Sequence, residues 1–321
     1  MSIWFGRQDI ETKLQARGEN KLSPASRQWL KRVLKIRGFA SNALGLPRNY
    51  SFKSYSNIGR RHVVWNVVAA PEFSLNPKRF CFPVTGCINY KGYFAKANAV
   101  KEARRLKAKG YDVYVSGVSA YSTLGWFADP VLSTFVKWTE DVLSGLMFHE
   151  LAHQVVYVKN DSSFNESFAT TVELEGVRRW MKHRNKESLS KRYRLNKRRE
   201  AQFIKMVLKY RNKLRHCYLA AGQTSLVEKR KSKQQIIAKL RAAYTKLKKE
   251  WGGYSGYDKW MSHSLNNAKL VSISTYHKYV PAFQRLLKNV DNDLPRFYRE
   301  VERIGAMPKI KRDKILMRLL K

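Results

Sequence analysis

A chain of 321 residues that is 44% hydrophobic and 12% aromatic carries enough apolar surface for a sizeable core, which excludes a disordered or low-complexity protein. Its 63 Lys and Arg against 24 Asp and Glu leave a net charge of +39, which suits anionic surfaces such as membrane phosphates, cell-envelope polymers or nucleic acid, or a solvated basic surface that recognises none of them. No run reaches the ~18 consecutive apolar residues that a membrane-spanning helix needs, and three cysteines are too few for an all-cysteine structural zinc site.

The opening Met1-Ser-Ile-Trp-Phe-Gly is followed at once by charged Arg7, Asp9 and Glu11, so it does not read as a signal peptide, and the chain is expected to be cytoplasmic if Met1 is the native start. Pro24 to Leu44 has Trp29, Leu30, Val33, Leu34, Ile36 and Phe39 at helical spacing, with Ser23 before it and Gly45 after it. His62 to Ala69 is rich in β-branched residues and predicts a strand. Cys81 to Phe94 carries two short extended pieces around Gly86 and Gly92, and Cys81 and Cys87 are near enough for a local disulfide, the pairing favoured over two free thiols. Ala95 to Lys109 predicts a basic amphipathic helix ended by Gly110, and Tyr111 to Val118 alternates as a strand. This β-β-α-β order makes the first half α+β. Ala120 to Phe127 follows: Tyr121, Ser122, Thr123, Leu124 and Gly125 suit either an edge strand that pairs with an extended substrate or an aromatic loop over the core. The rest is helical, over Asn165 to Lys182, Asn196 to Leu219, Ser225 to Trp251, a pair between Asn266 and Asn289, Asp293 to Ile304 and Ile310 to Leu320. The expected organisation is an N-terminal arm (1–22), an α+β core (23–180) and a basic helical domain capping the site (181–321).

The chemistry concentrates in Leu146 to Glu173. His149 and His153 are four residues apart, so on a helix both imidazoles share one face and can hold one ion. Glu150 sits at the edge of that face, where a carboxylate can act on water without ligating the ion; this is the physical content of the H-E-x-x-H motif. A catalytic zinc needs a third protein ligand. Glu166, in Asn165-Glu166-Ser167-Phe168-Ala169 at the start of the next helix, is the first candidate, and Asp161, equally suited to capping that helix, is the alternative. Glu173, two turns past Glu166, can accept a hydrogen bond from a ligand histidine, and Asn165 joins it as a supporting residue. Charge agrees with a cation site. Residues 129–175 hold eight acids against Lys137 and Lys159, whereas Lys182 to Glu250 has 23 Lys and Arg against four acids and surrounds no recognisable chemistry.

HELAHQ followed by NESFATTVE resembles the gluzincin pattern of the aminopeptidase N class, although the twelve residues between His153 and Glu166 make a shorter connection than that class has. Across the chain, IRGFASNALGLP (36–47), VVWNVVAAPEFSLNP (63–77), CFPVTGCINYKGYF (81–94), AYSTLGWFADPVLSTF (120–135) and NNAKLVSISTYHKYVPAF (266–283) resemble the bacterial putative aminopeptidase family, over nearly everything after about residue 30. The resemblance implies a peptidase with one Zn2+ per chain, zinc-peptidase-like active-site helices, and Glu166 rather than Asp161 as the third ligand. It also implies a cell-envelope or periplasmic protein with membrane attachment if a signal precedes Met1. Relatives place a tyrosine or histidine from the later helices on the oxyanion, which points to Tyr276 ahead of Tyr279, His263 and Tyr157. Classical aminopeptidases grip the substrate amine with a Gly-x-Met-Glu-Asn strand. AYSTLGWF has no glutamate, so Asp129, Glu72 or Glu140 would have to supply that grip. The expected function is zinc-dependent hydrolysis of a peptide substrate with Glu150 as general base. The rival expectation is a basic envelope- or nucleic-acid-binding protein whose zinc is structural or catalytically degenerate.

Overall fold

A computed structural model describes residues 6–16, 22–82, 86–118, 128–220, 225–273 and 278–320. In chain order the elements are β1 (Arg7–Asp9), α1 (Ile10–Gln15), α2 (Pro24–Ala43), β2 (Ser54–Ser56), β3 (Val64–Pro71), β4 (Phe80–Phe82), β5 (Gly86–Ile88), β6 (Lys91–Tyr93), α3 (Lys96–Ala108), β7 (Tyr111–Val118) and β8 (Val131–Leu132). Helices follow: α4 (Glu140–Ala152), α5 (Ser162–His183), α6 (Glu187–Ala220), α7 (Leu226–Glu250), α8 (Asp258–Ser262), α9 (Asn267–Val271), α10 (Val280–Asn289), α11 (Leu294–Gly305) and α12 (Lys309–Leu319). The fold is mixed α+β, mostly helical, with sheets of two or three strands. None of the described helices is long and apolar enough to cross a membrane.

Local chemistry explains where the elements begin. Ser23 accepts from Ser26 N at 3.2 Å and Pro24 occupies the first turn, so α2 starts where its cap predicts. Gly45, at φ +66°, ends it. Ser225 and Glu228 cap α7 reciprocally, each side chain bonding the other's backbone N–H. Helix α6 starts at Glu187, earlier than the Asn196 that apolar spacing suggests, and its opening turns are a basic run.

The chain folds into two compact units that interleave in sequence. One comprises residues 1–61, 120–195 and 275–321, the other 62–119 and 196–274.

In the second unit β3 is central, antiparallel to β6 on one side and to β7 on the other. The period of two along β3 sends Val67 and Ala69 to a face covered by Ala99, Ala103 and Leu106 of α3, and Val68 and Ala70 to a face covered by Ala268 of α9. Both faces are covered, hence the unbroken apolar run. β4 pairs with β5, and the Cys81–Cys87 disulfide, the alternative the spacing favours over two free thiols, joins opposed positions of that pair. Asn267 is buried and donates to the carbonyls of Pro71, Glu72 and Ser74, which fixes the chain leaving β3.

In the first unit β2 lies between antiparallel β1 and parallel β8. The principal packing joins α4 to α5. Gly176 makes it possible, because a Cβ there would lie 2.6 Å from Phe148 Cδ2 and 3.0 Å from Leu44 Cδ1. On its other side α5 presents Phe164 and Phe168 to Phe283 of α10 and Phe297 of α11, with ring centroids 5.1 to 6.2 Å apart. A buried aromatic cluster thus holds the helix that carries Glu166.

Candidate metal centre

Helix α4 is buried on most sides, through Leu143, Met147, Phe148, Leu151 and Ala152, and its last turn carries the histidines. His153 is the C-cap: its N–H bonds back to His149 O at 3.3 Å, keeping the imidazoles a full turn apart. The connection to α5 is pinned by Asn165, which accepts from Val158 N and donates to Val158 O, both at 2.8 Å. Its buried amide therefore sets how α5 returns beside α4, a role in the loop rather than at an imidazole. Asp161 caps α5, accepting from Phe164 N at 3.3 Å, and receives Arg312 at 2.9 Å and Lys309 at 3.4 Å. It is occupied as a cap and an ion-pair partner. Burial alone would raise its carboxyl pKa, but Arg312, the Phe164 N–H and Lys309 hold it below the ordinary value.

This geometry brings His149, His153 and Glu166 together, with one donor atom from each lying within 4.8 Å of the others. His149 Nε2 is 3.2 Å from Glu166 Oε2 and 3.2 Å from His153 Nε2, and His153 Nε2 is 3.6 Å from Glu166 Oε1. The His153 side chain is 3% exposed, His149 15% and Glu166 32%, so the cluster opens towards solvent on its carboxylate side. Behind it, His149 Nδ1 meets Glu173 Oε2 at 2.8 Å, and the Tyr193 hydroxyl donates to the other oxygen of Glu173 at 2.6 Å. Buried His153 Nδ1 has no hydrogen-bond partner among the described residues.

Electrostatics here favour a cation. Burial would lower the pKa of His149, yet hydrogen bonds to Glu166 and Glu173 and the charges of Glu173 and Glu150 raise it to about 10. Burial, with the neighbouring charge of His149, lowers His153 to about 4. The two imidazoles are thus pushed in opposite directions, with carboxylates on both sides of His149 favouring positive charge at this position. Two imidazoles and a carboxylate are the donor set of a catalytic zinc, and the Glu173 contact to Nδ1 leaves Nε2 facing the cluster. The residues present fit the ion.

Other expected residues lie elsewhere. Tyr121, Ser122, Thr123, Leu124, Gly125 and Tyr276 fall outside the described residues. Tyr279 is buried, with its N–H on Ser167 Oγ at 3.1 Å, and Tyr157 is exposed. In the second unit, His263 binds Lys259 O through Nδ1 at 2.5 Å, and the Glu72 carboxylate is taken by Arg230 at 2.7 Å. Glu140 starts α4, ten residues before Glu150 and therefore ~15 Å along the axis, and is paired with Lys186 and Arg184. Asp129 is buried, and its carbonyl accepts from Phe52 N.

Sequence reasoning missed Tyr193. It lies in the basic block that surrounds no recognisable motif, and one aromatic flanked by Lys191, Arg192 and Arg194 was the available signal. Gly145 makes its place, since a Cβ there would collide with the Tyr193 hydroxyl.

The chain matches, over residues 1–316, the family model described as "Putative aminopeptidase". No curated protein and no solved structure matches it. With that match over nearly its whole length, the chain belongs to the putative aminopeptidase family.

Proposed function

We propose that this chain is a zinc-dependent aminopeptidase whose ion is held by His149, His153 and Glu166. The observation that carries the reading is the convergence of the two Nε2 atoms and the Glu166 carboxylate, backed by the Glu173 contact to His149 Nδ1. A zinc ion held there supplies Lewis acidity, polarising the scissile carbonyl and making water nucleophilic near neutral pH. Glu150, half-buried and next to His149, takes the proton of the attacking water on its carboxylate and hands it to the leaving amine. Glu173 holds the proton on His149 Nδ1 and thereby directs Nε2 forward, and Tyr193 holds Glu173. The partial exposure of Glu166 leaves an approach for a peptide. Tyr121 to Gly125 would pair with the extended substrate and Tyr276 would donate to the oxyanion.

The test uses the purified chain, zinc-loaded, on aminoacyl and internally quenched peptides beside Glu150→Gln. Expected are turnover by the wild type, preference for a free amino terminus, and a loss of ~10²–10⁴-fold in the variant with zinc content unchanged. Equal turnover by the two proteins would overturn the reading and leave a structural or degenerate zinc.

A further inference from the structure

Inside the second unit, the part of α6 from Asn196 onwards and the long helix α7 run antiparallel. Phe203 of α6 lies 6.1 Å from Tyr244 of α7 in an edge-on contact, Trp251 Nε1 donates to Gln202 Oε1 at 2.8 Å, and Leu214 shares a core with Leu240. Phe73 then ties the closing turns of α6 to the first turns of α7, with the Tyr218 ring at 5.8 Å and the Lys233 ammonium 5.9 Å over it. This pairing puts Leu219, at the end of α6, and Leu226 and Val227, at the start of α7, at the same end of the helix pair. They are 76%, 58% and 73% exposed.

Such side chains gain nothing from water, and what surrounds them is cationic. Lys213, Arg215 and Lys231 are exposed and Lys229 is half-buried, and none of the four has a carboxylate partner among the described residues. Exposed Lys205 and Lys209 continue the charge along α6. Of the nearby acids, Glu72 is neutralised by Arg230, while Glu228, held by the Ser225 hydroxyl at 2.7 Å, keeps its charge as one acid among these cations. Apolar side chains projecting at one end of a helix pair, collared by cations that no described carboxylate neutralises, are complementary to a layer with acyl chains beneath anionic headgroups.

We propose that this end of the second unit docks on an anionic phospholipid bilayer, with Leu219, Leu226 and Val227 entering the interface and Lys213, Arg215, Lys229 and Lys231 meeting headgroup phosphates. A nucleic acid would satisfy the cations and leave the three aliphatic side chains in water. Stacking of single-stranded bases needs exposed aromatics, and Tyr210 and Tyr218 are partly buried. The inference does not depend on the peptidase reading.

The test is co-sedimentation of the full chain with phosphatidylcholine vesicles and with vesicles of phosphatidylcholine and phosphatidylglycerol in about a 7:3 ratio. Because the whole chain is strongly basic, the deciding variant keeps every charge: Leu219→Ser/Leu226→Ser/Val227→Ser. Preference for the anionic vesicles and a partition coefficient about tenfold or more lower in this variant, with unaltered circular dichroism, are expected. A second variant, Arg215→Gln/Lys231→Gln, should bind more weakly and with a shallower salt dependence. Equal partition of the wild type and the triple variant would overturn the proposal, as would a triple variant that loses binding to duplex DNA or poly(U) but not to vesicles.

Discussion

Carboxylates gather at both ends of helix α4, its own Glu140 and Asp141 at the start and Glu166 and Glu173 of α5 at the end, and the two groups differ in what they meet. At the first turn Glu140 faces Lys186 at 2.9 Å and Arg184 at 3.3 Å, and Asp141 takes Arg192 through both oxygens at 3.1 Å. These buried carboxylates sit where the helix dipole favours negative charge, and permanent cations neutralise them. At the last turn the carboxylates Glu166 and Glu173 meet imidazoles, which can surrender a proton and accept an ion in its place. A guanidinium cannot make that exchange near neutral pH. One end is therefore closed by permanent ion pairs, while the other keeps groups that can exchange a proton for an ion, though composition makes them look alike.

Substitutions at the two ends should separate these roles. The largest effect belongs to His153→Ala, which removes one of the three proposed ligands: zinc retained after dialysis, read by elemental analysis, should fall to background while the fold persists. Glu173→Gln should lower zinc affinity by ~10–100-fold in a chelator competition, and Tyr193→Phe by a few-fold, because both act through His149 rather than on the ion. At the opposite end Arg192→Ala should leave zinc affinity unchanged and destabilise the chain by about 1–3 kcal/mol in denaturant unfolding, since buried Asp141 loses its half-exposed partner. A matching drop in affinity would erase the distinction drawn here. Gly176→Ala should cost about 1–3 kcal/mol, because Phe148 must move for the two helices to keep their spacing.

The smallest effect concerns acid. Asp161 has its folded pKa below the ordinary carboxylate value, so its stabilising effect is present above that value and is lost as pH falls through the lower folded one. Asp161→Asn should therefore flatten the acid limb of a stability profile below about pH 4, with little change in the slope at neutral pH. An unaltered acid limb would show that Arg312 and Lys309 contribute nothing through this carboxylate.

Much of this was legible in the residues. Ser23-Pro24 before an apolar periodicity marks a helix start by local hydrogen bonding alone, and Ser225-x-x-Glu228 is a capping box whose partners lie within one turn. Cys81 and Cys87 flank a short connection and pair across β4 and β5. The spacing of His149 and His153 specifies a shared face as soon as the segment is helical. The acidic surplus of residues 129–175 was a weaker guide. Glu140, Asp141, Asp161 and Glu175 proved to be held by Arg or Lys and Asp129 is buried near Phe52, leaving Glu150, Glu166 and Glu173 beside the histidines.

What composition and spacing determined by themselves are properties that close within a turn or two: helix caps, the two-imidazole face and the overall excess of positive charge, with the disulfide favoured but left open against two free thiols. Tertiary structure decided which carboxylate reaches which partner. Glu166 rather than Asp161 stands by the histidines because Asn165 pins the intervening loop at Val158 and Asp161 is turned to cap α5. Tyr193 supports Glu173 because Gly145 leaves room for its hydroxyl. The interleaving of the two units has the same origin. Contacts between residues far apart in sequence depend on where helices cross and which side chains leave space, and local periodicity carries neither.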